Sequence, residues 1–143
     1  MKVFRSREGY LLRLERGEEI HASLVRFAEE NGIRGAVVSG LGAVEDVELG
    51  YYDVERRVYD RREVPENTEL LSLTGNLSRL DGKPVLHAHL VLMRKDFSLV
   101  GGHLFRGTIA VTGEISVRQT DLDMVRVPAD ELGTSLLEDG TGW

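Results

Sequence analysis

Apolar positions near the start of the chain follow two different periods. Tyr10 to Leu14 is rich in β-forming residues and predicts a strand. After Arg16-Gly17 the apolar residues recur at i, i+4, i+7 and i+8, which predicts one helix with a single apolar stripe formed by Ile20, Leu24, Phe27 and Ala28. Glu18 and Glu19 are expected in the first turn, where the helix dipole favours negative charge, and Asn31-Gly32 supplies a left-handed stop.

Beyond the helix, the pattern is that of β-strands almost to the end of the chain. Apolar segments alternate with turn signals of two to five residues, which is typical of antiparallel sheet. The predicted strands cover residues 33–44, 47–52, 57–59, 68–77, 85–93, 98–111 and 114–120. The last two are expected to be joined by a turn at Thr112-Gly113. One helix against such a sheet predicts an α+β fold.

The region 121–143 carries a weaker pattern and is expected to be a C-terminal extension of a single domain spanning 1–143. A short strand is predicted at Val125-Arg126-Val127, and a helical turn at Pro128 to Leu132. The last residues, 139–143, are expected to be mobile.

Composition narrows the class of protein. The 143 residues include no cysteine and no apolar run long enough for a membrane span, and we find no leader sequence, so we expect a soluble cytoplasmic protein. The formal net charge of −6 disfavours direct binding of nucleic acid. Gly40-x-Gly42 is not a dinucleotide loop, because Glu45 stands where the third glycine belongs and a strand pattern follows.

The strongest chemical signal is a group of three of the four histidines. His87 and His89 alternate with Ala88 within a predicted strand, so both imidazoles point to one face about 6.6 Å apart. If the chain turns around Asp96, His103 lies directly opposite His89, roughly 5 Å away at Cβ. A tighter turn would send His103 to the other face, unless a bulge at Gly101-Gly102 restores it.

Two interpretations of these histidines remain open at this point. Single histidines on apolar strands are usually hydrogen-bonded core residues. Three neutral imidazoles with an open fourth position are the arrangement of a catalytic zinc site, and structural zinc more often uses cysteine. We therefore predict a divalent metal, with zinc preferred, bound by His87, His89 and His103. His21 is interpreted as a half-buried or solvated helix residue.

Several segments together resemble the plants and prokaryotes conserved domain family. They occur in the family's order, from about Val3 to Thr120, and comprise residues 39–44, 51–53, 69–76, 87–89 and 101–104. The resemblance implies a compact α+β domain that assembles as a homotrimer. It also implies that some stand-alone prokaryotic members are metal proteins through histidines that match His87, His89 and His103.

In plants this domain accompanies an AT-hook that binds AT-rich DNA, but the present sequence contains no Arg-Gly-Arg-Pro hook. The DNA-binding label therefore transfers poorly. Glu69 is the nearest carboxylate in the family motifs. Such a residue is more often an ion-pair partner or exposed strand residue, and a role for Glu69 in the site is the alternative. Two functions compete: a metal centre with a reactive open position, and an assembly or regulatory module that recruits a protein partner and uses any metal as a clip.

Overall fold

The structure is a computed structural model of the 143-residue chain, and it describes residues 1–141. Ten elements follow one another: β1 Lys2–Ser6, β2 Gly9–Glu15, α1 Ile20–Glu30, β3 Ala36–Asp53, β4 Val58–Val64, β5 Thr68–Leu80, β6 Lys83–Met93, β7 Leu99–Gln119, β8 Met124–Ala129 and β9 Thr134–Asp139. The nine strands and one helix of residues 1–141 confirm the α+β prediction.

All nine strands belong to one mixed sheet. Its main path runs β1-β2-β7-β3-β5-β8-β9, while β4 pairs with β3, and β6 lies between β5 and β7. Every pairing is antiparallel except that of β5 with β8, which are parallel at Arg79 and Val125. The sheet thereby brings β6 and β7, the two histidine strands, next to each other.

The helix α1 follows from its sequence pattern and packs against β6 and β7. Its predicted stripe is buried, with Leu24 and Phe27 at 0% and 1% relative exposure. The prediction that Glu18 and Glu19 lie in the first turn is wrong, because α1 begins at Ile20. Glu19 is instead the N-cap, and its carboxylate accepts the backbone N–H of His21 at 3.0 Å. Gly32 ends the helix with φ of +61°, as the left-handed stop predicts.

The predicted turn at Thr112-Gly113 is wrong, because β7 continues through both residues. Gly113 lies opposite Gly42 of β3, and a Cβ at Gly42 would lie 2.2 Å from the carbonyl oxygen of Thr112. These glycines allow close backbone approach where the register of β3 shifts. The predicted strands at 33–44 and 47–52 likewise merge into the single bulged strand β3.

The extension contains a hairpin in place of the predicted helical turn. The strand at Val125 to Val127 is confirmed within β8, but Pro128 continues β8 and pairs with Ser135 of β9. The link between the two strands is a tight turn in which Leu132 N–H donates to the oxygen of Ala129. Of the terminal residues expected to be mobile, Asp139 ends β9, and Gly142 and Trp143 lie outside the described residues.

A membrane-spanning helix is absent from residues 1–141.

Candidate metal centre

The alternation of β6 sets the direction of its two histidines. His87 and His89 alternate with Leu86, Ala88 and Leu90, all of which are buried. Successive side chains of a strand point to opposite faces, so both imidazoles project away from the buried row. His89 is exposed, and His87 is half-buried.

The turn between β6 and β7 places His103 beside them. Arg94 N–H donates to the oxygen of Ser98 at 2.9 Å, and Asp96 accepts the Ser98 N–H at 3.0 Å. This turn pairs His89 with His103, and no register shift interrupts the pairing from there to Met93. The register predicted from a loop centred on Asp96 is therefore confirmed, and no bulge is required.

The three imidazoles converge. Their ring centroids lie 5.2 Å apart for His87 and His89, 5.1 Å for His87 and His103, and 5.5 Å for His89 and His103. One potential ligand atom from each lies within 4.8 Å of the others. Nitrogens about 2.0–2.1 Å from one tetrahedral ion are about 3.4 Å apart, so small side-chain rotations are needed to hold it.

Aromatic rings form a wall on one side of His103. Tyr59 and Phe105 pack against its imidazole with centroid separations of 5.0 and 4.9 Å. Gly50 lies opposite His103 on β3, and a Cβ there would lie 2.5 Å from Phe105 and 2.8 Å from Tyr59. The missing side chain of Gly50 therefore leaves the space that these two rings fill.

Burial and neighbouring imidazoles keep two of the histidines neutral. Burial, followed by repulsion from His87 and His89, lowers the pKa of His103 to about 4. Burial also lowers the pKa of His87, and the positive charge of Arg126 contributes to that shift. Neutral imidazole is the form that coordinates metals. These two histidines are therefore in the ligand form at neutral pH.

The histidines line a cavity with a volume of about 730 Å³. His21 also lines this cavity, although it is not part of the group of three. Glu69 is exposed and pairs with Met93, whereas His89 pairs with Thr74 further along β5. Glu69 consequently takes no part in the site.

The sequence analysis did not predict which residues form the walls of this cavity. Tyr59 and Phe105 come from β4 and β7, and Arg126 and Leu136 come from the extension. The alternation of Phe105 with His103 was a usable signal, because i and i+2 share a face. Arg126 carried no such signal, since only the pairing of β8 with β5 brings it to the cavity.

The environment of one buried histidine nitrogen indicates whether the residues fit a metal ion. Nδ1 of His103 is buried and has no hydrogen-bond partner among residues 1–141, and buried polar atoms are nearly always paired. No carboxylate, cysteine or fourth histidine of these residues joins the group. Three convergent imidazoles with an unpaired buried nitrogen fit a transition metal, whereas a satisfied core histidine would show a partner.

Comparisons with known proteins agree with this architecture. A structure of a plant- and prokaryote-conserved protein from Pyrococcus horikoshii is 31% identical, with a TM-score of 0.85, and the match covers 96% of this chain and 93% of that chain. A metal-containing protein from Archaeoglobus fulgidus is 36% identical, with a TM-score of 0.84 and coverage of 96% and 99%. A candidate DNA-binding protein from Ralstonia eutropha JMP134 is 28% identical, with a TM-score of 0.90 and coverage of 96% and 95%.

Comparison with curated protein sequences finds no significant match. The family model described as the Plants and Prokaryotes Conserved (PCC) domain matches residues 1–121. This match spans most of the 143 residues and includes all three clustered histidines. The chain therefore belongs to the plants and prokaryotes conserved domain family.

Proposed function

We propose that this protein is a metal-binding domain that holds one divalent transition metal through His87, His89 and His103. The observation that carries the proposal is the convergence of three imidazoles, with ligand atoms within 4.8 Å, around a buried and unpaired His103 Nδ1. The 36% identical Archaeoglobus fulgidus relative is described as metal-containing, which supports the same function here.

Zinc is the preferred ion, because it takes three imidazoles and leaves a fourth position open. When bound in this way, zinc supplies Lewis acidity to a donor atom that reaches the open position. Two features of the chain favour such access. No fourth protein ligand from residues 1–141 joins the group, and the exposed side chain of His89 borders the cavity.

The test is metal analysis of protein purified without chelator, followed by zinc titration of the metal-free protein. We expect about one metal ion per chain, and loss of most of the affinity in His89→Ala with the fold retained. His21→Ala is the matched control, because His21 lines the same cavity outside the group of three. Absence of metal, no uptake of added zinc and unfolding of His89→Ala would together show that these histidines serve the core.

We further propose that the domain assembles as a homotrimer. Large apolar side chains remain exposed on the strands, including Leu41 at 54%, Leu71 at 47% and Leu11 at 42% relative exposure. A partner subunit would cover such surface. Sedimentation equilibrium should give three times the 16.0 kDa chain mass, and a 16.0 kDa species at micromolar concentration would contradict the trimer. If the trimer forms without metal-site reactivity, the assembly-module alternative gains support.

We infer that duplex DNA is not a direct ligand, although the Ralstonia eutropha relative is described as a candidate DNA-binding protein. The formal net charge of −6 supports this, as do the ion pairs of Arg61 with Glu48 at 3.1 Å and of Arg106 with Glu63 at 2.7 Å. Any affinity for AT-rich duplex should vanish with modest salt. Submicromolar, sequence-selective binding at physiological salt would reverse the inference.

A further inference from the structure

Arg126 is the feature of the cavity that a metal site alone does not require. It lies on β8, beyond residues 1–121 of the family match, and it lines the same cavity as the three histidines. The turn that follows β8 is tied to β3, because Tyr52 Oη donates to the oxygen of Leu132. The extension therefore adds a cation to the cavity.

Neutral groups hold the guanidinium in place. Arg126 Nε donates to Ser78 Oγ at 3.0 Å, and Nη2 donates to Asn76 Oδ1 at 3.0 Å. Nη1 donates to the oxygen of Ser135 at 3.3 Å. None of the ion pairs formed within residues 1–141 includes Arg126. Buried charges are normally paired, so this half-buried cation lacks its counter-charge.

The position of the guanidinium connects it to the metal ligands. Asn76, which it contacts, lies directly opposite His87, and directly opposed residues share a face of the sheet. Burial lowers the pKa of Arg126, consistent with a partly desolvated charge. A bound metal dication beside this guanidinium would be repelled by it. An anion between the two cations would offset that repulsion.

The free donors and the cavity walls define the class of anion. An arginine has five N–H donors, and three are used, which leaves one on each terminal nitrogen. Two donors and one charge match a carboxylate, which arginine binds bidentately. The remaining walls are largely apolar, with Tyr52, Phe105 and Leu136 among them.

We propose that the cavity binds a small organic carboxylate, whose charged group pairs with Arg126 beside the histidine cluster and whose apolar body rests against the aromatic and leucine side chains. The inference rests on the proposed metal centre for the second positive charge. Inorganic phosphate is the competing anion. We favour carboxylate, because Arg126 is the only permanently charged side chain among the cavity-lining residues within 1–141.

The test uses phenylacetate as the probe and phenylacetamide as its uncharged counterpart, with binding measured by calorimetry on metal-free and zinc-loaded protein. We expect phenylacetate to bind at least tenfold more tightly than phenylacetamide. Arg126→Gln should lose at least tenfold in phenylacetate affinity. Arg118→Gln, which removes the same charge from an exposed position outside the cavity, should bind as the unchanged protein does.

The outcomes separate this inference from the metal proposal. Normal zinc uptake with equal binding of acid and amide, or with an unaffected Arg126→Gln variant, would overturn the carboxylate site and leave the metal centre intact. Tighter, Arg126-dependent binding of inorganic phosphate would overturn the choice of carboxylate. Arg126-dependent binding of phenylacetate without zinc uptake would support the carboxylate site and count against the metal. If Arg126→Gln fails to fold, the relative affinities of the unchanged protein for phenylacetate and phenylacetamide decide whether the cavity binds a carboxylate.

Discussion

Replacement of Gly50 by alanine should disturb the aromatic wall beside the proposed metal centre. A Cβ at this position would lie 2.5 Å from Cε2 of Phe105 and 2.8 Å from Cδ1 of Tyr59. To regain an ordinary contact of 3.4 Å, the Phe105 ring must retreat by about 0.9 Å. Both rings pack against His103, so their displacement reaches a predicted ligand.

The expected magnitude combines two opposing effects. Overpacking of a filled site costs about 1–3 kcal/mol, while alanine regains about 0.5–1 kcal/mol of the entropy that glycine loses in a strand. With the middle of each range, the net loss in the free energy of unfolding is about 1 kcal/mol, and it is at most about 2.5 kcal/mol. For a domain of this size a loss of about 1 kcal/mol corresponds to a fall in Tm of about 3–5 °C. Zinc affinity should fall about tenfold, as expected when groups that orient a ligand are moved.

The assay is thermal unfolding of metal-free protein followed by circular dichroism, together with zinc titration. Gly107→Ala is the matched control, because a Cβ there meets Val47 at 3.4 Å, an ordinary contact, and Gly107 also lies in a strand. The control should be about 0.5–1 kcal/mol more stable than the unchanged protein, because alanine regains the strand entropy there without a steric clash. If Gly50→Ala is as stable as Gly107→Ala and binds zinc equally well, the claim that Phe105 and Tyr59 fill the space beside Gly50 is wrong.

Three further predictions follow from other parts of the fold. Phe27→Ala, which truncates a side chain that is 1% exposed, should destabilise the domain by about 3–5 kcal/mol in denaturant unfolding, and a loss below about 1 kcal/mol would contradict the packing of α1. In metal-free protein, burial lowers the pKa of His103 to about 4, whereas a histidine of the unfolded chain has a pKa near 6.5. Between these pH values the unfolded chain binds more protons than the folded protein. The free energy of unfolding should therefore fall as the pH is lowered from about 6.5 to 4. His103→Asn should flatten this fall by about 1–2 kcal/mol, after allowance for solvent in the cavity, and an identical pH profile would refute the assignment. Arg34 and Arg79 donate hydrogen bonds to Asp123 and hold the pKa of its carboxyl group below the usual value. Asp123→Asn weakens these contacts and should make the extension more sensitive to limited proteolysis. An unchanged digestion pattern would contradict this anchoring role.

The parts of the fold that the sequence predicted are those decided by local information. The stripe of α1 follows from the helical period of the sequence, and its buried apolar residues are the predicted ones. The convergence of His89 and His103 required only a loop length and the two-residue period of strands. The pairing of the two histidine strands could therefore be predicted by counting from Asp96.

The features that the sequence did not predict depend on distant partners. Thr112-Gly113 was predicted to be a turn, but Gly113 lies within β7, where it allows close approach of β3 at Gly42. Gly42 is far from Gly113 along the chain, so the local sequence does not show this contact. Arg126 reaches the cavity through the parallel bridge between Arg79 and Val125. Neither contact leaves a periodic signal. Ion pairs such as that of Asp123 with Arg79 are equally invisible before the fold is known.

The two parts of the proposed site are held by contacts of different strength, and this difference has a functional consequence. The histidine strands β6 and β7 are paired by an uninterrupted register from His89 to Met93, and β5 pairs with β6 along most of its length. In contrast, β8 pairs with β5 at one position only, and side chains supply the remaining links: Asp123 accepts from Arg79, and Arg126 donates to Ser78 and Asn76. Changes in the extension can therefore alter or remove Arg126 while the imidazole geometry persists. A metal centre fixed by the family domain, with ligand preference set by the extension, would allow one fold to serve different small anions.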